Sequence, residues 1–418
     1  MSDVNWTITP GLDLATRAAQ AVDRCCALGR FTETPGTITR TFLSQPMHDV
    51  HRVLREWMTA LGMDSFVDSI GNLRGVLRAA NPQRLVIASH LDTVPNAGAY
   101  DGILGVVLAL ALIEASLESA PPPFGIEVIG FSEEEGVRFG LPFLGSTAFT
   151  GGFPPELLDH PGKDGTTIGQ AIRDFGLDPS KLSNAVFHPE TRAYLEFHIE
   201  QGPVLEKLDL PLAAVEGIAG QSRFHIQITG QANHAGTTPM DLRKDALAAA
   251  AHWICAVEHY ARSTTGLVAT VGRLQVKPGA GNVVPGEVEA SLDVRHLNDS
   301  IRNEAVHALL DSAQQIAAAR GLTFDAQPLL DQPAVLCAPD LTSSLRRSLR
   351  AAGYNDHVMS SGAGHDAMIV APHIPTTMLF LRSPGGISHH PSESVLVSDV
   401  AAALETGLCF LNDLEKDF

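Results

Sequence analysis

Residues 12–28 and 47–61 place apolar side chains at helical spacing with charges between them, the pattern of two amphipathic helices. Beyond residue 80 the pattern changes to short buried runs separated by helical ones. Residues 84–94 (RLVIASHLDTV) read as a buried strand running into a polar end. Residues 103–117 read as a helix, 125–131 (GIEVIGF) as the next buried strand, and 193–200 (AYLEFHIE) as a further short strand. Strands alternating with helices predict an α/β layer architecture, a mixed sheet with helices on both faces and functional residues gathered at strand ends.

Near residue 213 the character changes. Residues 223–230 (RFHIQITG) alternate polar and apolar, as a sheet with one solvated face does. A helix is predicted over 242–261, a strand over 267–274, an alternating strand over 288–297 and a helix over 301–320, with a last strand at 322–329. The order β-α-β-β-α-β predicts a ferredoxin-like α+β insert. The chain then returns to buried strands, 376–382 (TTMLFLR), and a final helix. The expected organisation is a catalytic domain in two parts, 1–212 and 331–418, interrupted by a smaller domain over 213–330.

Composition narrows the partners. The 418 residues carry a formal net charge of −18, which repels phosphate backbones and anionic membranes, so neither nucleic acid nor membrane is expected as a partner. An anionic substrate would need a local cationic pocket. The five cysteines, Cys25, Cys26, Cys255, Cys337 and Cys409, are odd in number and form no CxxC, which predicts reduced thiols rather than a disulfide framework. The start, MSDVNWTITP, lacks the basic and apolar regions of a signal peptide, so a cytoplasmic location is expected. The most apolar run, 103–113, is too short to cross a bilayer and is read as a buried helix.

Four clusters of potential ligands sit at predicted strand ends or in the loops after them. The first is His90-Leu91-Asp92 with Asp101-Gly102 following; alternation along a strand puts His90 and Asp92 on one side, so one binds a metal while the other accepts the imidazole's second N–H. The second is Glu133-Glu134-Glu135, three acids directly after a buried strand, where one carboxylate ligates and a neighbour takes a proton from water. The third is His198 in EFHIEQG and the fourth is His389-His390 in GISHHPSE. Singly, an HxD or an acidic run is weak; four such clusters at successive strand ends point to a divalent metal centre.

These residues in this order resemble the amidase/hydantoinase/carbamoylase family of dinuclear metallohydrolases, related to aminopeptidase-like enzymes. The resemblance runs through GRFTETPGTITRTFLS, IGNLRG, SHLDTVPNAGAYDG, FSEEEGVRF, FHIEQGPVLE, GQANHAGTTPM, GNVVPG, LDVRH, SGAGHDAM and GISHHPSE. It implies an aminopeptidase-like catalytic domain with a lid and dimerisation insert. It implies His90, Asp101, Glu135, His198 and His389 as ligands of two divalent ions, manganese or zinc with cobalt and nickel as alternatives. Asp101 would bridge them, Glu134 would be the general base and Asp92 would orient His90. Related peptidases usually carry a carboxylate where His198 stands, and histidine there resembles the ureido-hydrolysing branch.

The resemblance further implies that Gln221, Asn282, Arg295 and His365 hold the substrate, with Arg295 on its carboxylate, and that His234 acts on the substrate's developing negative charge from the other subunit of a homodimer. Asn282 and Arg295 would serve their own subunit. On the residues alone, Arg295 is equally an ordinary strand arginine, Asn282 a turn former, and the loop carrying His365 and Asp366 a tight turn. The implied reaction is metal-dependent hydrolysis of a C–N bond in a ureido-bearing carboxylate. Allantoate is the first choice, giving ureidoglycine, ammonia and CO2; N-carbamoyl-L-amino acids or β-ureidopropionate are the alternative. A non-catalytic binding protein would require a missing ligand or base, and none is missing.

Overall fold

A computed structural model of the chain describes residues 6, 8–119 and 121–415. Most of the sequence reading against a leader peptide falls on residues 1–5 and 7, which lie outside the described residues. The chain divides into two compact units, Met1–Glu216 with Cys337–Phe418, and Gly217–Leu336.

The first unit is built on a mixed sheet. Strand Asn81–His90 lies between Phe124–Phe131 and Thr191–Ile199 and runs parallel to both. Thr376–Leu381 adds in parallel beside Thr191–Ile199, and Leu212–Ile218 pairs with it antiparallel. On the other side Leu73–Leu77 and then Asp64–Val67 complete the sheet antiparallel. Phe124–Phe131 is buried at every position, as required of a strand covered on both faces.

The covering helices explain the apolar run. Helix Ile103–Ser119 is buried continuously from Ile103 to Ser116, so it is a core helix. No helix among the described residues is long and apolar enough to cross a membrane. Its buried acid, Glu114, is compensated by Arg17 at 2.7 Å and by the Trp57 indole N–H at 3.2 Å. Helix Leu14–Leu28 starts where the Asp13 carboxylate accepts the Thr16 amide at 2.7 Å, satisfying one of the donors a helix start leaves open.

In the second unit, Gly220–Thr229 is central, flanked by Glu287–His296 and Thr323–Gln332, all antiparallel. Val268–Thr270 and Leu274–Lys277 both pair with Glu287–His296, so the single strand expected over 267–274 is two short ones. Helices Ala246–Ser263 and Asp299–Ala319 cover the sheet through a core that includes Trp253, Leu309, Ile226, Ile228 and Leu292. The first of these helices begins later than the periodicity predicts, because Asp245 caps it by accepting the Ala248 amide at 3.0 Å. This strand order is that of a ferredoxin-like fold. A small ribbon, Asn233–His234 paired with Val283–Val284, stands apart from the sheet.

Candidate metal centre

The carboxyl ends of the four parallel strands of the first unit, with the loops after them, deliver the site. His90 is the last residue of its strand, His198 the penultimate residue of Thr191–Ile199, and Glu134 and Glu135 follow Phe124–Phe131 in a short turn. Asp101 ends the loop that leads from His90 into helix Ile103–Ser119. Gly102 follows with φ +68°, and a Cβ there would lie 2.4 Å from the His90 ring, so both backbone and packing require glycine. His389 arrives from the loop after Thr376–Leu381, itself in a left-handed conformation at φ 56°.

The donor atoms converge in a way that fits cations. His90 Nδ1 lies 3.0 Å from the Asp92 carbonyl and His198 Nδ1 lies 2.9 Å from the Ile199 carbonyl. A carbonyl only accepts, so each ring carries its proton on Nδ1 and, when neutral, turns a lone pair on Nε2 inward. Those two Nε2 atoms stand 3.5 Å apart, with Asp101 Oδ1 at 3.2 Å from the His198 nitrogen and 3.7 Å from that of His90. On its other side Asp101 Oδ2 is 3.1 Å from His389 Nε2, which is 3.4 Å from Glu135 Oε1. Lone pairs and a carboxylate facing one another in a buried space repel unless positive charge lies among them. Two groups, His90–Asp101–His198 and Asp101–Glu135–His389, share Asp101 as a bridging carboxylate would.

Protons take the place of cations when none is bound. Burial opposes charge on His90, yet the Asp101 and Asp92 carboxylates outweigh it and raise its pKa well above the ordinary imidazole value. Glu134 is pushed well above the usual carboxylate range, first by burial and then by Glu135, Asp366 and Asp92, against the pull of His90. Burial is also the main cause of the rise of Glu135 to about 7. A carboxylate held at elevated pKa beside a cluster of metal donors is suited to accept a proton from water.

Asp92 does more than the sequence reading gave it. Its backbone carbonyl, rather than its carboxylate at 3.5 Å, makes the short contact with His90. The carboxylate instead accepts the amides of Glu134 at 3.0 Å and Glu135 at 3.0 Å, fixing the turn that carries both glutamates. Sequence reasoning missed three further supports. Glu393 accepts the amides of Tyr100 and Asp101 at 2.9 and 3.0 Å, and Gln201 and Ser388 donate to Asp101 Oδ2 at 2.9 and 3.2 Å. Their signal was present in IEQG and SHHPSE, adjacent to residues already singled out.

His365 is buried against the His198 ring, centroids 4.4 Å apart, with its Nε2 2.9 Å from the Ser361 hydroxyl. Asp366 next to it is fully buried, its pKa raised by burial and then by Glu196. His390 is exposed and accepts the Ser392 amide at 3.1 Å, a turn contact.

The other residues expected to hold substrate lie in the second unit, in two separate groups. Arg295 stands opposite Gln221 in the antiparallel ladder, and its guanidinium grips Asp293 through Nε at 2.7 Å and an Nη at 3.1 Å. Gln221 donates to Gln332 at 2.9 Å. His234 and Asn282 belong to the ribbon, where the Ala235 amide donates to the Asn282 carbonyl at 2.9 Å; both side chains are exposed. The ribbon follows the far end of strand Gly220–Thr229, roughly 26 Å from Gln221 at the rise of an extended chain. Asn282 thus lies beside His234, at the other end of the sheet from Arg295.

The model of peptidase family M20/M25/M40 matches residues 86–413, most of the chain. The chain belongs to the M20/M25/M40 peptidase family. Among the relatives of this family member, "Allantoate deiminase 2" of Glycine max is 38% identical over 94% of this chain and 89% of its own length. "N-carbamoyl-L-amino acid amidohydrolase" of Geobacillus stearothermophilus is also 38% identical, covering 91% of this chain and 95% of its own. A solved amidase of the hydantoinase/carbamoylase family from Burkholderia multivorans superposes with a TM-score of 0.89 at 30% identity, covering 95% of this chain and 97% of that one. Within its family the chain therefore groups with the hydantoinase/carbamoylase amidases.

Proposed function

We propose that this chain hydrolyses a C–N bond of a ureido-bearing carboxylate, with allantoate as the first substrate, using two divalent cations held by His90, Asp101, Glu135, His198 and His389. The observation that carries the reading is the buried Glu134 carboxylate, raised in pKa, beside inward-facing imidazole lone pairs and a carboxylate shared between two donor groups. When bound, divalent ions supply Lewis acidity that polarises a carbonyl and lowers the pKa of water. Mixed nitrogen and oxygen donors accept manganese or zinc, and cobalt or nickel as well.

The chain's own residues do the rest. Glu134 takes a proton from the attacking water and delivers it to the leaving nitrogen, while the Asp92 carboxylate holds the Glu134–Glu135 turn in place. The second unit acts as lid and dimerisation domain in a homodimer. Arg295 and Gln221 hold the substrate carboxylate of their own subunit, and His234 with Asn282 stabilises developing negative charge in the partner's site. His365 lines the pocket beside His198. Support for dividing these residues into two sets is their separation to opposite ends of the sheet of the second unit.

N-carbamoyl-L-amino acids form the second reading, favoured by the equal 38% identity to the Geobacillus stearothermophilus relative. Both substrates present a ureido group and a carboxylate, and the distance from Arg295 to the reacting carbon selects between them. Ammonia release from allantoate, set beside a panel of N-carbamoyl amino acids, tests the reading. The highest kcat/KM is expected on allantoate; preference for an N-carbamoyl amino acid would transfer the assignment to the second reading, and no turnover of either would refute both.

A further inference from the structure

Arg40 lies in the stretch GRFTETPGTITRT, has no regular structure around it, and is 1% exposed. A fully buried arginine is costly unless its five donors and its charge are met. Its Nη1 donates to the carbonyls of Leu28 at 3.2 Å and Phe31 at 3.1 Å, just where helix Leu14–Leu28 leaves carbonyls open. Its Nε donates to the Leu91 carbonyl at 2.7 Å. The Arg40 backbone then pairs with Thr93: the Arg40 amide donates to the Thr93 hydroxyl at 2.9 Å, and the Thr93 amide donates to the Arg40 carbonyl at 2.8 Å. The residues on both sides of Asp92 are therefore tied to Arg40.

Asp92 is the residue whose two ends serve the metal centre. Its carbonyl fixes the His90 ring and its carboxylate fixes the Glu134 and Glu135 amides. Arg40 also faces Asp92 electrostatically: burial holds the guanidinium down to about 10, with Asp92 and then Glu33 acting in the opposite direction. An arginine serving only to tie the helix end would need the Leu28 and Phe31 contacts but not the one to the Leu91 carbonyl.

We infer that Arg40 is a positioning residue of the metal centre, its guanidinium holding the Leu91 carbonyl beside its own backbone pairing with Thr93, so that Asp92 presents its carbonyl to His90 and its carboxylate to the Glu134–Glu135 turn. The inference rests on the reading of this cluster as a metal centre. Partners of this kind, one layer behind the ligands, typically change metal affinity by about 10–100-fold.

The test is calorimetric titration of Mn2+ into the chelator-stripped full-length protein, with circular dichroism of each variant as the check on folding. Arg40→Lys keeps the charge, but its ammonium cannot reproduce the spread of the guanidinium over three carbonyls. It should weaken Mn2+ binding about tenfold, and Arg40→Met toward 100-fold. If Arg40→Met does not fold, Arg40→Lys carries the test. Because Arg40 acts through Asp92, adding Arg40→Lys to Asp92→Asn should cost little beyond Asp92→Asn alone. A folded Arg40→Lys that binds Mn2+ like the unaltered protein, or losses that multiply in the double variant, would overturn the inference. An unaltered protein that binds no Mn2+ would instead overturn the metal-centre reading itself.

Discussion

The donors of the first unit and the substrate residues of the second differ in how firmly their surroundings hold them. His90, Asp101 and His198 are each no more than 5% exposed, and their orientations are set by backbone carbonyls and side chains from three separate segments. His234 and Asn282 stand exposed on a two-residue ribbon, and Arg295 is engaged by Asp293, an anion that a substrate carboxylate would replace. On the proposed reading the chemistry is built into buried strand ends, while recognition rests on side chains whose present partners, such as Asp293, a substrate would displace. Removing a part of the first region should stop turnover; removing a part of the second should mainly loosen substrate binding.

The largest effect belongs to metal removal. Prolonged chelation should abolish hydrolysis, and Mn2+ or another divalent ion should restore it; full activity in a demonstrably metal-free sample would break the account at its base. Since the Asp101 and Asp92 carboxylates raise the His90 pKa, protons compete with cations at Nε2. Metal affinity should therefore fall as pH drops through and below that raised value, which titrations at several pH values would follow.

Next in size is the base. Glu134→Gln should lower kcat by at least about 10²–10⁴-fold with metal content retained, as measured by elemental analysis alongside steady-state kinetics. Glu135→Ala should instead reduce metal content. The reverse pattern would shift the assignment by one residue.

Arg295→Ala tests the second region. Losing a charge-assisted hydrogen bond of about 1.5–3 kcal/mol should cost roughly 10–100-fold in kcat/KM, carried mostly by KM. A fall in kcat alone would contradict the division between the two regions.

The finest distinction concerns the two groups within the second unit. Mixing inactive His234→Ala and Glu134→Gln subunits should restore partial activity, because the heterodimer holds one site with both base and histidine. Asn282→Ala should behave like His234→Ala in the same mixture, whereas Arg295→Ala mixed with Glu134→Gln should restore nothing.

When His234 acts in trans, the chain with the intact base receives its histidine from the Glu134→Gln partner, so one site is complete and activity recovers. When Arg295 acts within its own chain, one site lacks the arginine and the other lacks the base, so that mixture stays inactive. Recovery with Arg295→Ala would place Arg295 in trans, and no recovery with His234→Ala, after verified subunit exchange, would exclude His234 acting in trans.

How much of this was legible in the sequence depended on the range of the forces involved. Strands such as Phe124–Phe131 and helix Ile103–Ser119 were readable because continuous burial leaves a continuous apolar run. Asp64–Val67 and the ribbon at Asn233–His234 were not, because short, partly exposed strands carry little pattern. The convergence of His90, Asp101, Glu135, His198 and His389 was anticipated from strand ends together with the family motifs. Arg40 was missed because its contact with Leu91, 51 positions away, leaves no local pattern; Glu393 stood beside His389 and His390, but its contact with Asp101, 292 positions away, did not show in that motif. The grouping of Asn282 with His234 was missed for the same reason, since the pairing of Val283 with His234 sets it.

The most direct measurement is an anomalous difference map from crystals of the protein grown with Mn2+. The account predicts two peaks per chain flanking the Asp101 carboxylate, one beside His90 and His198 and the other beside Glu135 and His389. Absence of both peaks at full Mn2+ loading, or peaks away from these side chains, would contradict it.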